Sequence, residues 1–443
     1  MVMSTRHVVI WALAMSIIGA CTACRGRVAN GAQVEAGNGE GEAVGQLPDA
    51  RDLRLVVGRG EAVAATDGPD VPAVSLPTPP AGVVVVDLGN LVVGADGRTG
   101  AFHVDVDERI HGLTVVVYGE ADAFVIPMRV LGADGMVVVD DAPLPGDTPG
   151  LVQLKGLARG FTGQFASPGR VLPQRGMGAF QLPSSPDLPL TQGRWRIQLG
   201  QFDVDASAAN DPVITPRPGA VRVAVLLRVQ RVGPGSVGLA FHFTGAAGLT
   251  TSTASASPAF LDMLALVGNV YGGVDVDVTD VALLDVPDGD SVRTVVLATP
   301  ACDGDELDAL VARGVPDRLN IFVIDRFECG PFGPFLLGLS SGLPALPWAQ
   351  SPRSGVVVAG SFLLDDPELF AVAVAHELGH TLGLYHSREN DRFSADIYDV
   401  VKDTPDDDDA RANLMYFDVS RGASSGLSVG QGRAIQTTSM VLP

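Results

Sequence analysis

The chain has 443 residues and a formal net charge of −21 at pH 7, with lysine only at Lys155 and Lys402. At roughly 150 residues per domain, this length predicts two or three domains. A nucleic-acid-binding protein needs a basic patch that neutralises phosphates, and the absence of such a patch here excludes a nucleic-acid partner. Hydrophobic residues make up 46% of the chain, beside 53 Gly and 31 Pro. This mixture is typical of many short strands joined by turns.

Residues 1–20 have the form of a signal peptide. A basic start precedes the apolar stretch 8–18, which is too short for a comfortable membrane span. The following Ile18-Gly19-Ala20-Cys21 resembles the bacterial lipobox, and this resemblance implies a lipid anchor at Cys21. Thr22 follows instead of Asp, which by the same resemblance implies the outer membrane. An ordinary cleaved signal peptide stays open as the alternative, and both interpretations predict an exported protein, either lipid-anchored or secreted.

The four cysteines agree with export. Cys21 and Cys24 belong to the targeting region, which leaves Cys302 and Cys329 as a pair. A disulfide is allowed in an exported chain. Because a metal site would need further soft ligands nearby, and the sequence shows none, we predict a structural disulfide between Cys302 and Cys329.

Residues 21–80 are rich in Gly, Ala, Glu, Asp and Pro, which predicts a tether. From Val83 onward, short apolar runs alternate with turns. Trp195, Ile197 and Leu199 alternate with polar residues, as expected of a half-buried strand. The pattern predicts an all-β sandwich or jelly-roll-like domain over residues 81–235.

Over residues 236–443, predicted strands and helices alternate. Ser257 is a candidate N-cap with Pro258 at the first helical position. Asp365 or Asp366 is expected to cap a second helix, which is apolar on nearly all sides and therefore buried. The predicted strands are 237–243, 274–286, 319–325 and a short edge strand at 355–360. This order predicts an α/β domain around a mixed sheet.

The buried helix leads into His376-Glu377-Leu378-Gly379-His380-Thr381-Leu382-Gly383-Leu384-Tyr385-His386. Residues four apart project from one face of a helix, so His376 and His380 can bind one ion. Glu377 lies one step round the helix, where it can reach a water molecule on that ion without being a ligand. Gly383 adopts a positive φ cheaply and lets the chain bend, so that His386 returns as a third ligand. Three His and one water form the open arrangement of a catalytic zinc site.

A hydrogen-bonded core histidine would explain any one of these residues alone. Burying three imidazoles without a shared ligand would leave polar nitrogens unsatisfied, so we predict a zinc site. The remaining histidines show no metal-binding spacing and are interpreted as ordinary: His7, His103, His111 and His242.

The motif matches the extended zinc signature of the metzincin metallopeptidases in all five of its fixed residues. Downstream, Asp403-Thr404-Pro405 and Asn413-Leu414-Met415-Tyr416-Phe417 resemble the pappalysin/cytophagalysin-type branch. The resemblance implies a catalytic domain with a mixed sheet, a zinc helix, a Met-turn at Met415 and a C-terminal helix beginning near residues 427–431. The branch has Tyr two places after the Met, where this chain has Phe417. Tyr416, one place after the Met, is the candidate fifth ligand or transition-state residue.

Aspartates cluster between His386 and Met415. Oxygen-rich loops suit Ca²⁺, and the resemblance implies a calcium site here, while a solvated acidic loop stays open as the alternative. The aspartates are Asp391, Asp396, Asp399, Asp403 and Asp406 to Asp409.

These observations predict a monomeric, zinc-dependent metalloendopeptidase. In this mechanism a zinc-bound water attacks the peptide bond of a protein or peptide substrate, with Glu377 as general base. The edge strand near residues 356–358 is expected to bind the substrate backbone by strand addition. Three alternatives stay open. The zinc site could be structural or latent in a surface lipoprotein that acts as a binding module. The enzyme could hydrolyse a non-peptide substrate, or the region before about residue 236 could cover the cleft of a zymogen.

Overall fold

The computed structural model describes residues 76, 78–140, 171–205, 213–230, 233–297, 304–329, 336–347, 351–390, 396–399, 401–404, 411–417, 419 and 426–443. The predicted signal peptide, nearly all of the predicted tether and the predicted lipidation site Cys21 lie outside these residues. Within the described ranges, no helix has the length and apolar character needed to cross a membrane.

The N-terminal part is all β. Its strands are β1 (Val83–Val93), β2 (Phe102–Val106), β3 (Gly112–Tyr118), β4 (Phe124–Leu131), β5 (Val137–Asp140), β6 (Gln174–Arg175), β7 (Met177–Leu182), β8 (Gly193–Asp205), β9 (Val213–Pro216) and β10 (Gly219–Arg228). They form two antiparallel sheets, ordered β1-β10-β3-β7 and β2-β8-β4-β5, with β6 beside β4 and β9 beside β8. Without the short β6 and β9, the order becomes 1-8-3-6 and 2-7-4-5, which is the order of a jelly roll.

The two sheets enclose one hydrophobic core. Trp195, Ile197 and Leu199 of β8 are fully buried and share this core with Leu113 and Val223 of the other sheet. The indole N–H of Trp195 donates to a backbone carbonyl, so burial leaves no unsatisfied polar group on this side chain. The prediction of a β-rich domain is confirmed, because the alternating residues of β8 do face the interior.

An α/β domain follows. Its strands are β11 (Gly235–Phe243), β12 (Val276–Asp285), β13 (Thr294–Val296), β14 (Leu319–Ile324), β15 (Arg326–Glu328), β16 (Gly338–Ser340), β17 (Gly355–Ala359), β18 (Arg388–Asn390) and β19 (Asp396–Tyr398). Its helices are α1 (Thr251–Ala254), α2 (Pro258–Gly272), α3 (Asp305–Val311), α4 (Ser361–Asp365), α5 (Pro367–Thr381) and α6 (Val429–Gln436), and short 3₁₀ turns occupy Ala246–Gly248 and Gly289–Val292. The main sheet has the order β12-β11-β14-β17-β16. Its pairs are parallel except for β16 with β17, so the predicted mixed sheet is confirmed.

Side-chain caps start the two long helices as predicted. The Ser257 side chain accepts a hydrogen bond from the backbone of Phe260, and Pro258 begins α2. Of the two candidate aspartates before α5, Asp366 is the cap, since its carboxylate accepts from the Leu369 N–H at 3.0 Å. Ten of the fifteen residues of α5 are buried against the sheet and α2. The helix that carries the motif is therefore held in the core of the domain.

The edge of the sheet differs from the prediction. Residues 356–358 lie in β17, which is paired on one side with β14 and on the other with β16, and they are fully buried. The edge is β16, whose three residues Gly-Leu-Ser are too few to show a strand period in the sequence. The prediction that residues 356–358 bind substrate is wrong, because neither side of β17 is free.

Candidate metal centre

A tight turn at the end of α5 reverses the chain between His380 and His386. The Gly383 N–H donates to the His380 carbonyl at 2.8 Å, and the Leu384 N–H donates to the Gly379 carbonyl at 2.9 Å. These two bonds form a Schellman motif, in which the residue after the C-cap adopts the left-handed conformation. Gly383 fills that position with φ = 89°, as the sequence predicts.

The turn brings three imidazoles together. The Nε2 atom of His386 lies 3.1 Å from Nε2 of His380 and 3.2 Å from Nε2 of His376. All three ligand atoms lie within 4.8 Å of one another. Two nitrogens bonded to one tetrahedral zinc ion at about 2.05 Å would be roughly 3.3 Å apart. The spacing therefore fits one metal ion shared by the three nitrogens.

The hydrogen bonds of two rings orient their lone pairs toward that ion. Nδ1 of His376 is 2.7 Å from the carbonyl of Leu414, and Nδ1 of His380 is 2.7 Å from the carbonyl of Leu384. A carbonyl only accepts, so both Nδ1 atoms carry the hydrogen, and in a neutral ring the lone pair is on Nε2. Burial, with a smaller effect from His386, lowers the pKa of His376 to about 3, so its ring is neutral at pH 7.

Facing lone pairs repel one another unless a cation lies between them. The three-nitrogen set, in which the Nδ1–H groups of His376 and His380 are anchored to backbone carbonyls, is the donor chemistry that zinc favours in catalytic sites. The residues present therefore fit a zinc ion.

Glu377 follows His376 and contacts the edge strand β16. A Cβ atom placed on Gly338 would lie 2.6 Å from Cγ of Glu377, so glycine at this position gives the side chain its room. Burial raises the pKa of Glu377 to about 8, and the hydrogen bond donated by the Ser340 backbone N–H partly opposes that shift. The carboxyl group therefore gains and loses its proton about one pH unit above neutrality, and not in the acidic range of an ordinary glutamate.

Met415 is fully buried against the turn of α5 between His376 and His380. A Cβ atom on Gly379 would lie 2.4 Å from its Sδ atom. The Met415 carbonyl accepts from the N–H of Ser387 at 2.7 Å, and its own N–H donates to the Asn413 side chain. Met415 is therefore tied to the segment that carries His386. Its role as the residue of a Met-turn stays a prediction.

Tyr416 is buried, and its ring lies against Phe417 with 4.7 Å between the centroids. Its predicted part in catalysis stays a prediction. Cys329 is buried and disulfide-bonded, while Cys302, its predicted partner, lies outside the described residues.

The predicted calcium site has no support among the described residues, where the three histidines form the one group of metal-ligating side chains. Asp403 instead accepts hydrogen bonds from the Ser428 hydroxyl at 2.7 Å and from the Gly430 N–H at 2.8 Å, at the start of α6. Its carboxylate thus stabilises the N-terminus of that helix. Asp391 and residues 406–409 lie outside the described residues.

The sequence analysis missed the backbone groups and neighbours that orient the motif. The Leu384 carbonyl acts from within the motif, while the Leu414 carbonyl, the edge strand at Ser340 and the small residue Gly338 contact it from outside. Backbone groups carry no sequence signal, so these contacts depend on the fold.

No protein-family model and no curated protein matches the chain. Among solved structures, metalloproteinase-II from Bacteroides fragilis is similar over 48% of this chain, with 12% sequence identity and a TM-score of 0.28. The match spans 62% of that protein, a little under two thirds of its length. A TM-score this low does not establish a common fold.

Proposed function

We propose that this protein is a zinc-dependent metalloendopeptidase. The observation that carries the proposal is the convergence of three imidazole Nε2 atoms, two of them oriented by Nδ1–H···O=C bonds. A structural zinc site has four protein ligands, whereas the described residues contribute three. A set of three protein ligands favours a catalytic site over the structural site of a binding module.

The residues divide the chemistry between them. A bound zinc ion would supply a Lewis acid that polarises a peptide carbonyl and lowers the pKa of a water molecule to near 7. His376, His380 and His386 would hold that ion. The Glu377 carboxylate accepts the proton of the attacking water and passes it to the leaving amine. A general base works best when its pKa is near the working pH, and burial moves Glu377 in that direction.

The edge strand β16 is the element that we propose for substrate binding. The residues on either side of β16 form backbone hydrogen bonds with β17. The Leu337 carbonyl accepts from the Ala359 N–H, and the Ser341 N–H donates to the Gly355 carbonyl. Backbone groups alternate in direction along an antiparallel strand, so those of Gly338 and Ser340 point away from β17. An extended peptide can therefore add to this side and pass beside Glu377.

Replacing Ser340 by Pro removes the outward N–H, which donates to Glu377 in the substrate-free chain, without removing a bond to β17. We expect kcat to fall because Glu377 loses this donor, and KM for an extended peptide to rise roughly 3- to 10-fold, the value of one hydrogen bond of about 0.5–1.5 kcal/mol, while zinc content stays unchanged. Steady-state kinetics and metal analysis measure these quantities. Ser340→Ala is the matched control, since it keeps the N–H and loses only the hydroxyl that donates to Gly342. Equal KM values for the two variants would contradict substrate binding at β16.

Metal analysis and proteolysis of the parent chain test the function itself. We expect about one zinc per chain, cleavage of an unfolded protein substrate, loss of cleavage with a chelator and recovery on addition of zinc. A chain that binds zinc without cutting would favour the binding-module alternative.

We also propose that the protein is an exported monomer, anchored to the outer membrane by a lipid on Cys21. The signal-peptide pattern and the lipobox-like tetrapeptide support export and the anchor. Mass spectrometry of the mature N-terminus distinguishes a lipidated Cys21 from an ordinary cleaved end.

A further inference from the structure

The β-sandwich and the metal centre meet at strand β7. At its start, the buried Arg353 of the α/β domain donates to the Met177 carbonyl at 3.0 Å and also pairs with Asp308 of α3 at 2.9 Å. Nη1 of Arg353, the nitrogen that pairs with Asp308, also lies 3.4 Å from the Ser341 carbonyl, next to the edge strand. The start of β7 is therefore joined to the edge-strand side of the site.

The end of β7 reaches the other side of the site through Gln181, whose side chain is buried with 5% exposure. Its Nε2 donates to the Ala434 carbonyl at 3.0 Å and to the hydroxyl of Thr437, both at the C-terminal end of α6. Its Oε1 is buried without a hydrogen-bond partner among the described residues. That oxygen faces Gly383, where an added Cβ atom would lie 2.4 Å from it.

The Gly383 turn thus has two close neighbours. One is Gln181, and the added Cβ would also lie 3.5 Å from the Thr438 side chain. Because this turn is the last bend before His386, its place decides where the third imidazole returns. A buried oxygen that lies against the turn without a hydrogen bond costs free energy. An apolar side chain that only filled the space beside the turn would avoid this cost.

We propose that Gln181 is a positioning residue of the metal centre. It holds the Gly383 turn so that His386 completes the three-nitrogen set. The β-sandwich is therefore a permanent part of the site and not a removable pro-domain. The inference rests on the proposed zinc site.

A comparison of Gln181→Ala with the matched control Gln174→Ala tests whether Gln181 positions the metal centre. Gln174 has 7% exposure, lies in the neighbouring β6 and uses its amide on the backbone of Ala179. Metal-free full-length chains are titrated with zinc against a competing chelator, and the visible spectrum of the cobalt(II) form is recorded. We expect Gln181→Ala to weaken zinc binding by about tenfold and to change the cobalt spectrum, as altered support of a ligand does. Gln174→Ala should lower the thermal midpoint and leave affinity and spectrum unchanged.

A second pair tests the contact directly. Gly383→Ala should also weaken zinc binding by about tenfold or more, because alanine is strained at a φ of 89° and its Cβ would overlap Gln181 Oε1. Adding Gln181→Ala removes that overlap. The loss of zinc affinity in the double variant should therefore be smaller than the product of the fold-losses of the two single variants.

Equal zinc affinity and spectra for Gln181→Ala and Gln174→Ala, or losses that multiply in the double variant, would overturn the inference while the zinc site stands. A parent chain that binds no zinc would overturn the proposed function as well, so the two failures are distinct. If Gln181→Ala does not fold, Gln181→Met keeps the side-chain volume, and the same loss of affinity is expected of it.

Discussion

Replacing Glu377 by Gln should lower peptide hydrolysis by about 10²- to 10⁴-fold, the usual contribution of a positioned general base. Zinc content should stay at the parent value, because the three ligands are the neighbouring histidines. Gln keeps the shape of the side chain and can still accept the Ser340 N–H, but it cannot take up the proton of the attacking water. Activity and metal analysis on one preparation measure both effects.

Glu368→Gln is the control for this substitution. Glu368 is exposed in the first turn of the same helix, so the same chemical change there should leave activity within about twofold of the parent. If Glu377→Gln cut peptide as fast as the control, Glu377 would not be the base. If it lost zinc, its effect on activity would have another cause.

Thermal unfolding of the metal-free chains gives an independent check on Glu377. Its pKa is raised from 4.5 to about 8 in the folded chain, so between these pH values the folded state holds a proton that the unfolded state has lost. The contribution of Glu377 to the stability of the parent should therefore fall as the pH rises from 4.5 to about 8. Glu377→Gln has no such proton to lose. The melting temperature of the variant minus that of the parent should therefore increase as the pH rises across this window.

Replacing His380 by Ala should lower zinc affinity by roughly 10²- to 10³-fold. About 10–16 kcal/mol of binding free energy shared among four ligands corresponds to about 2.5–4 kcal/mol for each. Hydrolysis should fall with metal occupancy, and the rise in melting temperature on adding zinc should shrink. Chelator competition and thermal unfolding with and without zinc measure these effects.

His103→Ala is the matched control for the ligand. His103 lies in β2 of the sandwich, away from the three clustered imidazoles, and its loss should leave zinc affinity unchanged. A His380→Ala chain that bound zinc as tightly as His103→Ala would exclude His380 from the ligand set.

The site residues that the sequence determined are those whose geometry is local. Four-residue spacing on a helix places His376 and His380 on one face whatever surrounds them. Gly383 ends the helix through its own backbone preference, and Asp366 starts it by accepting a neighbouring N–H. The alternation around Trp195 in β8 likewise reports which face of one strand is buried.

The features that the tertiary structure decided are contacts between segments far apart in the chain. The three-residue segment β16 is a strand only because β17 pairs with it. For this reason the edge of the sheet is β16 and not residues 356–358. The jelly-roll order depends on pairings such as β1 with β10, which no local pattern specifies. The contact of Gln181 with Gly383 likewise exists because two domains pack together. Local propensity acts between neighbours along the chain, whereas burial and long-range pairing decide which distant segments meet.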